Sequence, residues 1–163
     1  MNKHLSNLNS DKIEYYTPDW VWDVLSPYIP KDKTVWECFR NENITSTRSA
    51  EKLRELGYKV VNPLCDFFNN DYGDIVISNP PFNRKKEVME RLFKLNKPFM
   101  IVLPQIILNT IYFSEWCKTD KDIQIIVLPK RVDFLLPNGD KKVVIHTLIV
   151  AWRMNLDDRI LFL

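Results

Sequence analysis

The sequence is short of the residues that metal sites and disulfide frameworks need. Its three cysteines, Cys38, Cys65 and Cys117, lie far apart with no Cys-x-x-Cys pair, and its two histidines are His4 and His146. No zinc-ligand spacing results, and an odd number of scattered cysteines does not favour disulfides. We therefore predict reduced cysteines, no metal, and a cytoplasmic protein, or a nuclear one in a eukaryotic or viral setting.

Long apolar runs and a large excess of one charge are also missing. Residues 1–12 are polar, and no stretch approaches the ~20 apolar residues that cross a bilayer, so no membrane contact is predicted. The 23 basic and 21 acidic residues give a net charge of +2. This balance excludes an arm that binds nucleic acid by charge alone, but it allows a local basic patch. Since 45% of the 163 residues are hydrophobic, we predict a flexible segment at 1–12 and a single domain at 13–163.

Apolar segments alternate with amphipathic segments along the chain. Apolar runs predict strands at 34–39, 58–61, 74–78, 99–103, 123–128, 132–136 and 143–152. Amphipathic spacing predicts a helix opened by Thr17-Pro18-Asp19 with Thr17 as its cap, a helix that ends at Gly57, and helices at 87–95 and 106–118. The turn at 137–140 makes the last two strands an antiparallel hairpin at the sheet edge. We therefore predict an α/β fold: a doubly wound, mostly parallel sheet with an antiparallel C-terminal hairpin.

The strand at 74–78 runs directly into Asn79-Pro80-Pro81-Phe82. Ligands of open α/β sheets bind at the carboxyl ends of the strands, and two prolines make this loop rigid and extended. The Asn79 side-chain carbonyl and the Pro80 backbone carbonyl can accept both hydrogens of an exocyclic amine, while Phe82 stacks on the ring that carries it. These four residues are therefore predicted to be catalytic in methyl transfer to such an amine. The alternative is a turn that simply ends a strand.

Several segments around this loop are similar to one enzyme family. From Tyr15 to Trp152 the chain resembles a Rossmann-fold, class I S-adenosylmethionine-dependent N6-adenine methyltransferase, in the gamma arrangement, as a minimal core without a target-recognition domain. The matching segments are Tyr16-Thr17-Pro18, Val35-Trp36-Glu37-Cys38-Phe39, Cys65-Asp66-Phe67-Phe68, Asn79-Pro80-Pro81-Phe82 and the stretch 131–139. The last of these resembles a segment that helps to enclose a flipped base.

The resemblance implies a binding site for S-adenosylmethionine. Its implied residues are Thr17, Pro18, Glu37, Phe39, Asn41, Asp66, Phe67 and Asn79. Simpler structural roles stay open for three of them: Thr17 as a helix cap, Glu37 in a buried ion pair or cap, and Asp66 capping its own turn. The loop after Phe39 has no glycine, and Asn62 stands where the family has an acidic residue. We therefore hypothesise that cofactor affinity is low or depends on a partner.

The resemblance implies methylation of adenine N6 in DNA or RNA. Transfer to guanine N2 or to a protein glutamine amide uses the same tetrad and stays open, as does a catalytically inactive subunit that binds nucleic acid or supports an active partner. Four basic residues are predicted to meet the phosphate backbone, with a solvated helix start as the alternative: Arg84, Lys85, Lys86 and Arg131. Without a target-recognition domain, three alternatives stay open: specificity is low, the substrate is single-stranded or structured RNA, or a protein partner supplies target recognition.

Overall fold

The structure is a computed structural model that describes residues 16–40, 42, 44–136 and 142–163. Its strands are β1 Thr34–Trp36, β2 Lys59–Val61, β3 Ile75–Ser78, β4 Phe99–Pro104, β5 Ile123–Val127, β6 Asp133–Leu135, β7 Lys142–Val144, β8 Thr147–Trp152 and β9 Ile160–Phe162. Its α-helices are α1 Asp19–Leu25, α2 Arg48–Glu55, α3 Lys85–Leu95 and α4 Ile111–Thr119, with 3₁₀ helices at Ser26–Tyr28, Phe82–Arg84 and Gln105–Asn109. The predicted flexible segment 1–12, Asn41 and the predicted turn at 137–140 lie outside the described residues.

Seven strands form one sheet in the order β2-β1-β3-β4-β8-β5-β9. Every neighbouring pair is parallel except the two pairs made by β8, which runs antiparallel to β4 and β5. This confirms the predicted α/β class with a mostly parallel sheet. The chain leaves β1 to one side for β2 and returns on the other side for β3, so the topological switch point lies between β1 and β3.

Both faces of the sheet are covered by helices. On one face, α1 and α2 pack with Trp22 and Leu53 against a core that includes Ile75 and Ile77. On the other face, the cluster contains Val76 together with side chains from α3 and α4. All residues of β3 and β4 are buried. Because helices cover both faces of these strands, no side chain of either strand faces water, which explains why their sequences are almost continuously apolar.

The predicted C-terminal hairpin is present, but its position was wrong. β6 and β7 pair antiparallel in a separate two-stranded sheet. The predicted strand 143–152 is broken at Ile145-His146, and its second half is β8, in the interior of the main sheet rather than at its edge. The physical reason is burial: residues 148–152 are all buried, which an edge strand does not require. The edge strand β9 was not predicted.

Two helix predictions also need correction. Thr17 does not cap α1, because Pro18 occupies the N-cap position and no side chain caps that helix. Tyr16 lies in extended chain that forms an antiparallel bridge with Leu135, which carries the Thr17 segment toward β6. The predicted helix 106–118 is a 3₁₀ helix followed by α4, separated at Thr110, whose backbone is extended.

Candidate active site

The switch point is the crevice where an open α/β sheet binds ligands. β1 ends at Trp36 and is followed by Glu37, while β3 ends at Ser78 and is followed by Asn79. β1 and β3 are hydrogen-bonded neighbours that run in the same direction. The two segments that the sequence singles out therefore leave the sheet side by side at its carboxyl edge.

The loop after β3 keeps one polar atom without a protein partner. The side-chain oxygen Oδ1 of Asn79 is buried and makes no hydrogen bond. Pro80 is buried, Pro81 is exposed, and Phe82 is half-buried at the start of a 3₁₀ helix. Because prolines carry no N–H group, the loop cannot supply its own backbone donors to this oxygen at 80 and 81. This acceptor is therefore left without a donor from its own loop.

Two other predicted motifs, the N-terminal motif and the segment at 131–136, lie beside this loop. The ring of Phe82 contacts the ring of Phe134 in β6 edge-on, with centroids 5.9 Å apart. The neighbouring Leu135 exchanges backbone hydrogen bonds of 2.8 and 3.1 Å with Tyr16. The structure thus brings the N-terminal motif and the segment at 131–136 to the side of the sheet where the Asn79–Phe82 loop lies. Residues 137–139 of that segment lie outside the described residues.

Thr17 contributes a second buried acceptor. Its side chain is 2% exposed, and its hydroxyl Oγ1 has no hydrogen-bond partner. Burying a hydroxyl without a partner costs roughly 1–3 kcal/mol. The neighbouring Pro18 only begins α1. Among the predicted site residues that the structure describes, Thr17 and Asn79 are therefore the two whose side-chain oxygens are left unsatisfied.

Glu37 is buried at the end of β1 and is held by donors from three other segments. Its Oε2 accepts a hydrogen bond of 2.8 Å from the Asn62 amide and one from the Thr47 hydroxyl. Its Oε1 accepts from the hydroxyl of Ser78, the last residue of β3. Thr47 Oγ1 also accepts a hydrogen bond from the Ala50 N–H, so the Thr47 side chain caps the N-terminus of α2. The carboxylate thus joins the β1 end, the β3 end and the α2 N-terminus.

Asn62 and Arg40 brace the loop that follows β1. Asn62 donates 2.8 Å to the Glu37 backbone carbonyl and accepts 2.9 Å from the Thr47 N–H. Arg40 Nη1 donates to the carbonyls of Thr45, at 2.7 Å, and Asn62, at 2.9 Å. The guanidinium group carries several donors, so one side chain can bind two carbonyls and hold this glycine-free loop in place. The loop is therefore tied to the end of β2 by side chains.

Cys38 lies next to Glu37, and its thiol is expected to be unreactive. Burial, with the neighbouring Glu37 carboxylate as a smaller cause, raises the pKa of its thiol well above the ordinary value of 9.0. A thiol that stays protonated is a poor nucleophile. Cys38 is therefore part of the packing at this site.

An aromatic cluster lies on the other side of the β1 end. Phe39 and Phe67 have ring centroids 4.8 Å apart; Phe67 is buried and Phe39 is half-exposed. Asp66 is exposed, and its carboxylate accepts from the Phe68 N–H at 3.0 Å and from the Asn69 side chain. Asp66 therefore stabilises its own turn, while Phe39 presents an apolar surface at the edge.

The predicted phosphate-binding residues are exposed or half-buried at the same edge. Three of them pair with carboxylates: Arg84 with Glu87, Lys86 with Glu90 and Arg131 with Asp133. Such surface pairs are worth about 0–1 kcal/mol and rearrange readily. Lys85 instead places its ammonium 3.5 Å from the Phe82 carbonyl.

A charged cleft of about 390 Å³ opens beside α1 and α2. Its walls include Tyr16, Asp19, Ser46 and Arg48. Arg48 donates to both carboxylate oxygens of Asp19 and is the main cause of the lowered pKa of that carboxyl group. Neither Thr17 nor Asn79 is among the described wall residues, so this cleft adjoins Tyr16 and the start of α1 and not the Asn79–Phe82 loop.

The sequence pattern did not single out Thr47, Ser78 or Arg40 as site residues. Thr47 precedes a helix, so a capping signal was present. Its contact with Glu37, and that of Ser78, joins residues 10 and 41 positions apart. The pairing of β1 with β3 brings Ser78 to Glu37, and the position of the α2 N-terminus brings Thr47 there. Local sequence carries no signal for such contacts.

Comparison with known proteins gives the fold. No protein-family model and no curated protein matches the sequence. A Pyrococcus horikoshii protein provisionally described as an RNA methyltransferase has a TM-score of 0.51 and 14% identity, over 85% of this chain and 84% of its own. A dimethyladenosine transferase from Plasmodium falciparum gives 0.52 and 11%, over 85% and 62%. The 23S rRNA methyltransferase ErmE gives 0.51 and 11%, over 85% and 70%.

These likenesses show that the chain has a methyltransferase-type Rossmann-like fold. A fold alone does not assign an activity, which must come from the site. Among the described residues, no group of three or more His, Cys, Asp or Glu could hold a metal ion, and no helix is long and apolar enough to cross a membrane.

Proposed function

We propose that the protein is an S-adenosylmethionine-dependent methyltransferase that acts on an exocyclic amine, adenine N6 in DNA or RNA. The observation that carries the proposal is the Asn79–Phe82 loop, whose buried Asn79 oxygen lacks a protein partner at the switch point of a methyltransferase fold. Structures with this fold include a dimethyladenosine transferase and a 23S rRNA methyltransferase. Guanine N2 and a protein glutamine amide remain further substrates to test.

In this proposal the loop positions the amine without a strong base. Asn79 Oδ1 accepts one N–H and the Pro80 carbonyl accepts the other, while Phe82, fixed by its contact with Phe134, stacks on the base. Holding both hydrogens draws the nitrogen lone pair out of the ring system and toward the methyl donor. With the cofactor bound, the N–CH3 bond would form as the S–CH3 bond breaks, S-adenosylhomocysteine would leave, and the proton released from the amine would pass to water. Catalysis then rests on positioning and electrostatics.

The described residues fit the proposed cofactor at two points. The Thr17 hydroxyl is buried without a partner and would be satisfied by the ammonium group of the cofactor, whereas the Asn79 oxygen serves the substrate amine. Phe39 adds a half-exposed aromatic surface at the same edge, above the buried Phe67. When bound, S-adenosylmethionine supplies a methyl group activated by its sulfonium. Glu37 acts through Thr47, Asn62 and Ser78, and it holds the floor of the site in place.

The experiment measures methyl transfer and identifies the product. Wild-type protein and Asn79→Ala are incubated with tritiated S-adenosylmethionine and native DNA, denatured DNA, RNA or protein, and the products are digested for mass spectrometry. We expect N6-methyladenine from the wild type and a loss of about 10²–10³-fold in the variant, the range seen when one catalytic hydrogen-bonding group is removed. Full activity in Asn79→Ala would overturn the catalytic assignment.

One observation favours a second candidate, a catalytically inactive subunit that binds nucleic acid or supports an active partner. Asn62 stands at the end of β2, and its amide is fully engaged with Glu37 and Thr47. It is therefore not available to ribose hydroxyls in this arrangement. Nucleic-acid binding without cofactor binding would favour this second function.

A further inference from the structure

Several large aliphatic side chains are exposed on the segment that follows β4. Ile106 is 65% exposed, Leu108 is 39% exposed and Ile111 is 83% exposed. The first two belong to the 3₁₀ helix Gln105–Asn109, and Ile111 begins α4. Between them, Ile107 is buried and anchors the segment to the core. We call Ile106, Leu108 and Ile111 the aliphatic rim.

The aliphatic rim lies at the same edge as the candidate catalytic loop. β3 and β4 are parallel neighbours, and Ser78 is aligned with Ile101. Asn79 is therefore level with the residue after Ile101 in β4, and the rim begins just beyond Pro104, the last residue of that strand. A direct contact links the two sides as well, since the Lys86 ammonium lies 5.6 Å from the ring centre of Tyr112. The rim therefore follows directly on the strand that borders Asn79.

Two cations at this edge have no carboxylate partner among the described residues. Lys85 contacts the Phe82 carbonyl at 3.5 Å. Lys130, which follows the parallel strand β5, places its ammonium 4.7 Å from the ring centre of Trp20. Ammonium groups in these positions can neutralise phosphates. Apolar side chains flanked by cations match a nucleic acid, whose stacked bases are apolar and whose backbone is anionic.

We propose that the aliphatic rim is a wedge that packs against the base stack of a double helix when the target base is extruded into the Asn79–Phe82 loop. This inference rests on the proposed function and names double-helical nucleic acid as its substrate. Extrusion costs a few kcal/mol and leaves a gap in the stack. Aliphatic side chains that enter such a gap replace the lost stacking contacts, and they bury surface that is otherwise exposed to water.

The test compares one double helix with its separated strands. Methyl transfer by wild type and by the double variant Ile106→Ser/Ile111→Ser is measured on one genomic DNA before and after heat denaturation, and on double-stranded RNA. The matched control is Ile160→Ser, a 53% exposed aliphatic residue on β9. β9 is four strands from β3, roughly 19 Å at ordinary strand spacing.

We expect the double variant to lose about tenfold on double-helical substrate and less than about twofold on separated strands, because only the helix needs a base to be extruded. Ile160→Ser should match the wild type on both. Equal losses on helix and separated strands, or no loss on either, would overturn the wedge. The first of these results would instead favour a general binding surface or a protein-docking surface.

A second readout keeps the inference testable if the wild type transfers no methyl group at all. Permanganate oxidises thymines that have lost their pairing and stacking, and the thymine opposite an extruded adenine stays outside the Asn79–Phe82 loop, so its reactivity reports extrusion without catalysis. Wild-type protein should raise the thymine reactivity of native DNA, and the double variant should not. No rise with the wild type contradicts the wedge, whereas a rise without methylation contradicts the proposed function alone.

The cations give an independent measure. Replacing both Lys85 and Lys130 by Gln should lower the slope of log affinity against log salt by about two on double-helical DNA. An unchanged slope would show that Lys85 and Lys130 do not contact phosphates. The charge argument for a nucleic-acid partner would then be contradicted.

Discussion

The carboxyl ends of β1 and β3 lie side by side, but the polar side chains that follow them differ in their hydrogen bonding. Glu37, after β1, is held by Thr47, Asn62 and Ser78. Asn79, after β3, keeps a buried oxygen with no partner. Glu37 receives donors from the start of α2 and from the ends of β2 and β3, whereas the two prolines after Asn79 have no N–H group to offer. One end is held by internal hydrogen bonds, and the other keeps an acceptor that no described residue uses.

The sharpest test of this comparison is stability. Glu37→Ala should lower the free energy of unfolding by about 3–4 kcal/mol, because three buried donors lose their shared acceptor. Asn79→Ala should change it by less than about 0.5 kcal/mol, since no hydrogen bond of Oδ1 is lost. Urea unfolding followed by circular dichroism measures both values. Equal losses would show that the two ends do not differ in this way.

A smaller effect is expected for the brace at Arg40. Arg40→Ala should cost about 1–2 kcal/mol, because two carbonyls lose a charged donor. Arg54 is the matched control, since its guanidinium also contacts two segments, Ser46 and the Val60 carbonyl, but at an exposed position. We expect Arg54→Ala to cost about 0.5 kcal/mol or less. If both variants lose the same amount, Arg40 has no special place in the β1 end.

The smallest effect concerns pH and the pair of Asp19 with Arg48 beside the cleft. Arg48 lowers the pKa of Asp19 in the folded protein from the ordinary value of 3.8. The pair therefore stabilises the fold above pH 3.8, and this contribution is lost as pH falls through the lowered pKa. Both side chains are well exposed, at 40% and 47%, so the effect should stay below about 1 kcal/mol.

Asp19→Asn provides the check. The difference in unfolding free energy between wild type and this variant should be largest at neutral pH and should shrink at the acid end. A difference that grows on acidification would contradict the assigned pairing.

The sequence predicted the fold class because burial leaves a local pattern. Continuous apolar runs marked β3 and β4 as strands covered on both faces. The position of β8 was missed because the same pattern does not say which neighbours a strand has. β9 has three residues, too few for a pattern that differs from a loop.

The candidate site divides in the same way. Asn79-Pro80-Pro81-Phe82 could be predicted, since its rigidity and its acceptors are properties of consecutive residues. The engagement of Asn62 with Glu37 and Thr47 could not, because these contacts span 25 and 15 positions and depend on how β1 and β2 pair. Thr17 was assigned as a cap from its place before Pro18, but its extended chain pairs with β6 instead.

The most direct measurement is calorimetric titration of the protein with S-adenosylhomocysteine, followed by the same titration of Thr17→Val, which removes a buried hydroxyl without changing the shape. We predict micromolar binding by the wild type and weaker binding by the variant, whose stability should equal or exceed that of the wild type because an unpaired buried hydroxyl is removed. No binding by the folded wild type, or equal binding by both proteins, would contradict a cofactor site at the joined ends of β1 and β3.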